Sequence, residues 1–317
     1  MLAAGIGVAC SASLAPAGPT GASDNATVKL VSDVRSVKPG QPFTVGLAMT
    51  LDPGWHTYWK NPGDAGLPLR IDWKLPEGFS AGPIEWPAPM RMPAGGEMSY
   101  GYAGTVLLPV RITPPETIRE DTVTVAGTFR WLECADVCVP ASATLDLALP
   151  VKPEEPAPGH WATVFRDLRL PQEAPGLALK AEAGPRAIAL TFRLPEGGTP
   201  RDPYLFVEEP LVVDYAAKQP WERAGDRYRL TVKPAPNAAG PPSRLTGVLV
   251  LQAEPPYTAI LVNVPVSAGD PAPAREKGGF PAWMIALYSS AVALMAGAWV
   301  LWNQRRTIKP EGRDHDS

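Results

Sequence analysis

The sequence predicts an all-β protein with two antiparallel β-sandwiches and a single C-terminal transmembrane helix. Short apolar and β-branched runs recur between turn-forming residues, and the 317 residues include 39 prolines and 29 glycines. About 250 residues lie between the apolar ends of the chain, which is room for two small domains at roughly 100–200 residues each. The proline-rich stretch 150–158 is the expected boundary, with one domain at 25–152 and the other at 160–268.

The first domain is predicted to contain six strands between turn signals, at 26–31, 42–51, 68–75, 106–113, 122–131 and 143–151. Residues 122–131 alternate apolar and polar side chains, as a half-buried strand does. This strand leads to Cys134 and Cys138. We therefore expect the two cysteines on a turn between strands, where a partner protein can reach them.

The second domain is predicted to contain strands at 177–183, 187–194, 204–207, 228–232, 245–251 and 257–266. It has no cysteine, and its one histidine, His160, lies at its border. Apolar runs such as 247–251 indicate core packing, and no cluster of catalytic residue types accompanies them. We interpret this domain as a spacer or docking module.

An uncharged segment at 281–302 predicts a membrane anchor. At about 1.5 Å per residue it can cross a hydrocarbon core of about 30 Å. Aromatic residues mark both of its ends, and Arg305 and Arg306 follow it. The positive-inside rule then places the tail 303–317 in the cytoplasm and the sandwiches in the periplasm, joined to the inner membrane by a tether at 269–280.

The first 24 residues have the character of a signal-like, disordered N-terminus. Residues 2–14 are apolar, but no Lys or Arg precedes them. Cys10 follows a partial match to a lipoprotein cleavage site. We expect Cys10 to be removed together with the signal peptide rather than lipidated.

Composition excludes several function classes. With a net charge of −3 and 19% charged residues, the chain has no basic surface for nucleic acid. It has three histidines and neither a glycine-rich phosphate loop nor a nucleophile elbow. Hydrolase and transferase activities therefore lack a site.

The pair Cys134 and Cys138 is the candidate catalytic site. Disulfide exchange needs one reachable cysteine and a second that is close enough to resolve the mixed disulfide. A bridge across so short a loop stabilises a fold only weakly, which favours redox exchange, although a static disulfide stays open. The acids Glu133 and Asp136 either weaken the attacking thiolate or belong to an ordinary solvated turn.

Four strings occur in a specific order, WHTYWKNPGDAGLP (55–68), IEWPAP (84–89), YGYAG (100–104) and WLECADVCVP (131–140). Together they resemble the N-terminal periplasmic domain of DsbD-type thiol:disulfide interchange proteins, in the ScsB-like branch. The resemblance extends over about residues 25–268 and is strongest up to Pro150.

This resemblance implies immunoglobulin-like sandwiches and an electron relay without an organic cofactor. Electrons would come from a membrane-embedded or thioredoxin-like donor and go to oxidised periplasmic thiol proteins. Cys138 would form the mixed disulfide and Cys134 would resolve it. The family's multi-helix membrane domain and thioredoxin-like domain do not follow in this sequence, so a separate polypeptide is expected to supply electrons. The exchange activity could serve cytochrome c biogenesis or copper tolerance, and the sequence does not choose between them.

The resemblance also suggests a cap. Tyr100, Gly101 and Tyr102 match the position of the family's cap loop, which covers the sulfurs until a partner docks, and glycine would let such a loop move. The alternative is a hairpin that carries both tyrosines to the core.

An aromatic cluster precedes this motif and consists of Trp55, His56, Tyr58 and Trp59. It forms either the wall of the partner-binding face or a core with its rim.

The sequence is compatible with two other function classes. Soft ligands for Cu(I) could come from Met90, Met92 and Met98 together with His56 and the cysteines, although such methionines more often fill gaps. The third class is a structural sandwich pair held at the membrane, in which the disulfide stays oxidised.

Overall fold

A computed structural model of the protein describes residues 20–94, 96–168, 170–184, 186–194, 198–251 and 259–269. These residues form eighteen strands, one short helix (α1, Ala162–Arg166) and one 3₁₀ turn (Pro175–Leu177), so the predicted all-β class is confirmed. The strands are β1 (Thr20–Ala22), β2 (Ala26–Ser32), β3 (Phe43–Leu51), β4 (His56–Gly63), β5 (Arg70–Lys74), β6 (Ser80–Ile84), β7 (Met90–Ala94), β8 (Glu97–Ala103), β9 (Thr105–Thr113), β10 (Thr122–Cys134), β11 (Cys138–Pro150), β12 (Lys180–Ala183), β13 (Ile188–Phe192), β14 (Tyr204–Val207), β15 (Trp221–Ala224), β16 (Arg227–Val232), β17 (Arg244–Val250) and β18 (Ala259–Ala268).

Several predicted segments lie outside the described residues, namely 1–19, the tether from 270, the helix at 281–302 and the tail at 303–317. Across the ranges that the structure does describe, no helix combines the length and the apolar character that crossing a bilayer requires. Residues 20–24, predicted to be disordered, instead belong to the fold. The reason is that β1 pairs with β2, from Thr20↔Lys29 to Ala22↔Thr27.

Strands β1 to β11 form the first sandwich. One sheet has the order β1-β2-β3-β9-β6, and the other has the order β11-β10-β4-β8-β7 with β5 also paired to β10. Their pairings are antiparallel. Inward side chains such as Val28, Leu47 and Phe129 share one buried core, because each strand alternates between a core side and an outer side.

The six strands predicted for this part are present, and β10 runs three residues beyond the predicted end at Trp131. Strands β4, β6 and β7 were not predicted, because each contains a proline, a residue that argues against a strand. These prolines are Pro62, Pro83 and Pro93, respectively. The fold tolerates these prolines because β6 and β7 are edge strands and because β4 is irregular after Tyr58.

The proline-rich segment between the two parts is attached to the first sandwich. Val37 bridges to Val151, and the Arg35 Nε atom donates a 2.9 Å hydrogen bond to the Pro158 carbonyl oxygen. The segment leads into α1, and the Phe165 side chain packs on the buried outer side of the sheet beside Leu107. The two parts are therefore not joined through a free linker.

The seven-stranded region (residues 172–269) follows, with the strand order β14-β17-β18-β12-β13-β16-β15. Its strands were predicted as an antiparallel sandwich, but β18 pairs antiparallel with β17 and parallel with β12. The parallel pairing arises because β18 extends beyond its pairing with β17. Residues 266–268 of β18 therefore lie beside residues 181–183 of β12. All described residues fall within one compact unit.

Candidate redox site

A β-hairpin brings the two cysteines together. Strands β10 and β11 pair over thirteen residues each, ending at Cys134↔Cys138. A 3.1 Å hydrogen bond from Ala135 N to Val137 O closes the turn. Cys134 and Cys138 form a disulfide. The three-residue turn thus places the two side chains directly opposite each other, where cross-strand partners interact.

The two cysteines differ in their exposure to solvent. Cys134 is 1% exposed, whereas Cys138 belongs to the exposed surface. Val137 and Val139 flank Cys138 and are 65% and 37% exposed. Exposed apolar side chains beside a reachable sulfur form a surface that a protein partner can cover. An incoming thiol therefore has access to Cys138 and not to Cys134.

Strand β4 brings two aromatic side chains to the disulfide. His56 pairs with Cys134 across the sheet, and the Tyr58 hydroxyl oxygen lies 3.4 Å from the Cys138 sulfur. Because a disulfide sulfur carries no hydrogen, the hydroxyl is the donor in this state. The rings of His56 and Tyr58 meet edge to face with centroids 5.3 Å apart, which holds the direction of the tyrosine.

The protein environment favours the uncharged form of both groups. Burial raises the pKa of the Tyr58 phenol above its ordinary value, and the charge of Glu97 raises it further. Burial lowers the pKa of the His56 imidazole below its ordinary value. Tyr58 is therefore available as a neutral hydrogen-bond donor to the sulfur.

The other two members of the aromatic cluster face the core. Trp59 is fully buried and packs edge to face on Phe206, with ring centroids 6.3 Å apart. Trp55 is partly buried against the same core. His56 and Tyr58 are thus the members of the cluster that the fold brings to the disulfide.

Tyr100, Gly101 and Tyr102 lie within strand β8. Both tyrosines are buried, which raises the pKa of each phenol, and the Tyr102 hydroxyl donates a 2.8 Å hydrogen bond to the Pro87 carbonyl oxygen. A Cβ atom on Gly101 would lie 1.9 Å from the Thr57 carbonyl oxygen. Glycine here permits the close approach of β8 to β4. Of the two interpretations of this motif, the structure has the hairpin that carries tyrosines to the core.

The three methionines do not converge. Met90 pairs with Gly101, Met92 with Ser99, and Met98 with Pro93. Side chains alternate along a strand, and cross-strand partners share a face, so Met90 and Met92 lie on one face of the hairpin and Met98 on the other. The three thioether sulfurs therefore do not share the one face that a joint copper site would need.

Glu133 is buried beside the disulfide, with 1% of its surface exposed. Its carboxyl group accepts hydrogen bonds from the Ser23 hydroxyl, from Trp131 Nε1 at 2.8 Å and from Asn25 Nδ2 at 3.2 Å. The solvated-turn interpretation is therefore wrong for Glu133, whereas Asp136 is exposed. These bonds attach the β1–β2 turn to the hairpin that carries the cysteines.

The pattern of β10 contained a signal for this burial. Val123, Val125, Phe129 and Trp131 are its inward residues, and two positions further along the same side comes Glu133. Extending the alternation past the predicted strand end would have placed the acid inside. No sequence signal identified Ser23 and Asn25 as its partners, because both lie in the segment predicted to be disordered or at its edge.

Replacing Glu133 with alanine should destabilise the fold by about 3 kcal/mol, because three donors lose their acceptor and a buried unpaired polar group costs roughly 1–3 kcal/mol. Glu133→Gln should cost about 1 kcal/mol or less, since the amide oxygen keeps the bonds that Oε1 accepts and the Asn25 amide can rotate to face the new NH₂ group. Urea unfolding measures both changes. The exposed Asp136→Ala is the control, expected within about 0.5 kcal/mol of the unmutated protein, and equal stabilities for all three variants would contradict the role of the network.

Known proteins resemble this chain in sequence and in fold. The family model described as thiol:disulfide interchange protein DsbD, N-terminal, matches residues 27–150. No curated protein matches the chain. Among solved structures, the N-terminal periplasmic domain of ScsB from Proteus mirabilis matches with a TM-score of 0.58 at 22% identity, covering 78% of this chain and 95% of that one.

The ScsB match establishes a shared fold, and its coverage extends well beyond residue 150. The yeast GGA1 GAE domain also matches, with a TM-score of 0.25, 8% identity and coverage of 41% of this chain and 97% of that one, which is too distant to carry an argument. The family match spans the hairpin, both cysteines and strand β4. Residues 27–150 of this chain are therefore an N-terminal domain of the DsbD type, the family of thiol:disulfide interchange proteins.

Proposed function

We propose that this protein carries out thiol–disulfide exchange through Cys134 and Cys138 on the periplasmic side of the inner membrane. It passes electron pairs from a membrane-embedded or thioredoxin-like donor to oxidised periplasmic proteins. The observation that supports this most is the asymmetry of the pair, in which an exposed Cys138 is bonded to a buried Cys134. A relay needs one sulfur for the partner and one kept for resolution.

The reduced form transfers electrons in two displacements. The Cys138 thiolate attacks one sulfur of an oxidised partner, the partner's S–S bond breaks, and its second sulfur leaves as a thiolate that takes up a proton. The Cys134 thiolate then attacks the Cys138 sulfur, which restores the intramolecular disulfide and releases the partner's first sulfur as a thiol. The partner has gained two electrons, and a dithiol donor reverses the sequence on Cys138 to reload the protein.

Tyr58 is placed to donate a hydrogen bond to the Cys138 sulfur, the sulfur that reacts with the partner. Its neutral hydroxyl, 3.4 Å from the Cys138 sulfur, can donate a hydrogen bond to that sulfur as negative charge develops on it. It would thereby stabilise the thiolate both as the attacking group and as the leaving group. Burial raises the pKa of Tyr58 further above working pH, so the phenol keeps the proton that it donates.

Trapping tests the proposal directly. In cells that produce the full chain with Cys134→Ala, Cys138 can form a mixed disulfide that no resolving thiol removes. We expect a covalent complex on a non-reducing gel, which is lost on reduction and which contains a thioredoxin-like donor or a periplasmic thiol protein by mass spectrometry. Cys138→Ala is the matched control, and both variants carry Cys10→Ser. The control should capture nothing, because Cys134 is buried.

The same cells separate exchange from a static disulfide. Acid quenching followed by alkylation should show the unmutated pair in both oxidised and reduced forms. A pair that is always oxidised, together with an uncomplexed Cys134→Ala variant, would show that the disulfide is structural and would end the proposal.

A further inference from the structure

Strand β4 links the redox site to the seven-stranded region. Near its start Tyr58 contacts Cys138, and three residues later Asn61 contacts the seven-stranded region. The pairing of β4 with β8 holds through Tyr58↔Gly101, then loses register until Gly63↔Ser99. A bulge re-aims the residues within it and is common beside functional sites. Residues 59–62 of β4 therefore lie outside the regular pairing with β8.

Asn61 is the buried contact that this bulge creates. It is 0% exposed, and its Nδ2 atom donates a 2.7 Å hydrogen bond to the Val207 carbonyl oxygen and lies 3.3 Å from the Tyr215 hydroxyl. Its Oδ1 atom accepts a 3.1 Å hydrogen bond from Gly63 N. The amide thus joins the bulge to two positions of the seven-stranded region and also fixes the end of β4.

Neighbouring contacts surround this amide. Lys60 forms an ion pair with Glu208, and Trp59 packs on Phe206. On β8, next to β4, the Tyr100 ring packs against Phe206 and Tyr215 with centroids 4.9 and 5.4 Å apart. Buried aromatic and polar contacts of this kind leave little freedom for relative motion of the elements they join.

We propose that the seven-stranded region holds β4 in the position from which Tyr58 reaches Cys138, with Asn61 as the positioning residue. The proposal rests on the exchange chemistry proposed above and gives the second part of the chain a role in it. Asn61 does not touch the sulfurs and acts through Tyr58. The Tyr58 hydroxyl oxygen lies 3.4 Å from the Cys138 sulfur, and this hydrogen bond weakens if β4 shifts. By fixing β4, Asn61 therefore controls how well Tyr58 donates to the sulfur.

The test follows the reactivity of Cys138 in the reduced full chain as a function of pH. Alkylation by iodoacetamide, with the Cys138 peptide quantified by mass spectrometry, gives the pH of half-maximal rate. Tyr58→Phe removes the donor and should move this midpoint upward by about one pH unit, as expected when a thiolate loses a hydrogen bond. Tyr215→Phe, which keeps the ring but removes the hydroxyl beside Asn61, should move it upward by roughly half as much.

A double-variant cycle distinguishes positioning from general loosening. If Tyr215 acts through Tyr58, adding Tyr215→Phe to Tyr58→Phe should cause no further shift. Tyr228→Phe is the matched control, since that hydroxyl bonds to the Gly198 carbonyl within the seven-stranded region and should leave the midpoint unchanged. All variants keep the other titratable groups near Tyr58 and Cys138, which are Cys134, His56, Glu97 and Asp136.

Asn61→Ala extends the series and should give at least the shift of Tyr215→Phe. If that variant does not fold, Tyr215→Phe alone decides. A midpoint that stays in place for Tyr215→Phe while it moves for Tyr58→Phe overturns the positioning role and leaves exchange at Cys138 intact. Equal additive shifts in the cycle overturn it as well. The alkylation readout needs no partner protein, so failure of the trapping experiment is a separate result.

Discussion

Replacing Cys138 with serine should slow the reaction with an external disulfide by about two orders of magnitude or more. The remaining thiol, Cys134, is 1% exposed, so a reagent reaches it only when the protein opens locally. Every 1.4 kcal/mol or so in the free energy of that opening slows the reaction about tenfold. The measurement is the release of the coloured thiolate from an aromatic disulfide reagent by reduced protein that carries Cys10→Ser throughout.

Cys134→Ser is the counterpart in this experiment. It should react rapidly but release a single equivalent of coloured thiolate, because Cys138 attacks and no second thiol resolves the product. The unmutated pair should release two. If both serine variants reacted at similar rates, the exposure difference between the two cysteines would not govern attack, and the assignment of Cys138 as the partner-linked sulfur would be wrong.

Replacing Gly101 with alanine should destabilise the first sandwich by about 3 kcal/mol or more, since overpacking against a rigid element typically costs 1–3 kcal/mol. The added Cβ atom would lie 1.9 Å from the Thr57 carbonyl oxygen and 2.6 Å from the Met92 Cε atom. The methionine can move, but the backbone of β4 cannot yield without displacing the residues beside it. At about 2–4 °C per kcal/mol, Tm should fall by roughly 10 °C.

Gly82→Ala is the matched control for Gly101→Ala. Gly82 lies in the edge strand β6, where a Cβ atom would meet the Arg111 carbonyl oxygen at 3.5 Å, an ordinary contact. Its Tm should change by no more than about 2 °C. Because His56 and Tyr58 flank Thr57, Gly101→Ala should also slow alkylation of Cys138. Unchanged stability would show that β4 and β8 can separate without cost, which would argue against strand β4 as a rigid support for Tyr58.

Much of the first sandwich was predictable because its strongest strands alternate over long stretches. In β10 the alternation was clear enough to predict the strand and the turn that carries the cysteines. Strands β4, β7 and β8 were less predictable, since their prolines, glycines and short aromatic runs are also typical of turns. For the same reason Tyr100 and Tyr102 matched a loop position in the sequence, although they lie in a buried strand.

The site was predictable in its sulfur chemistry and less so in its surroundings. Spacing alone identified Cys134 and Cys138 as a pair, and the cluster at 55–59 contained both side chains that meet the disulfide. Glu133 was misassigned because the predicted strand ended at Trp131, which placed the acid on the turn. In the structure β10 continues to Cys134, and the carboxyl group of Glu133 meets Ser23, Asn25 and Trp131. Asn61, followed by Pro62 and Gly63, matched a turn and gave no indication of a buried anchor.

Residue order by itself determined the all-β class, the hairpin and the proximity of its two cysteines, since alternation and short loops are local properties of a chain. Tertiary structure alone decided which sulfur faces solvent, that the Tyr58 hydroxyl reaches it, and that Asn61 binds a carbonyl 146 positions away. Those features depend on strands that are distant along the chain and become neighbours only when the sheets pack. Burial and hydrogen-bond partners are set at that stage, because both are properties of the folded surroundings rather than of any one segment.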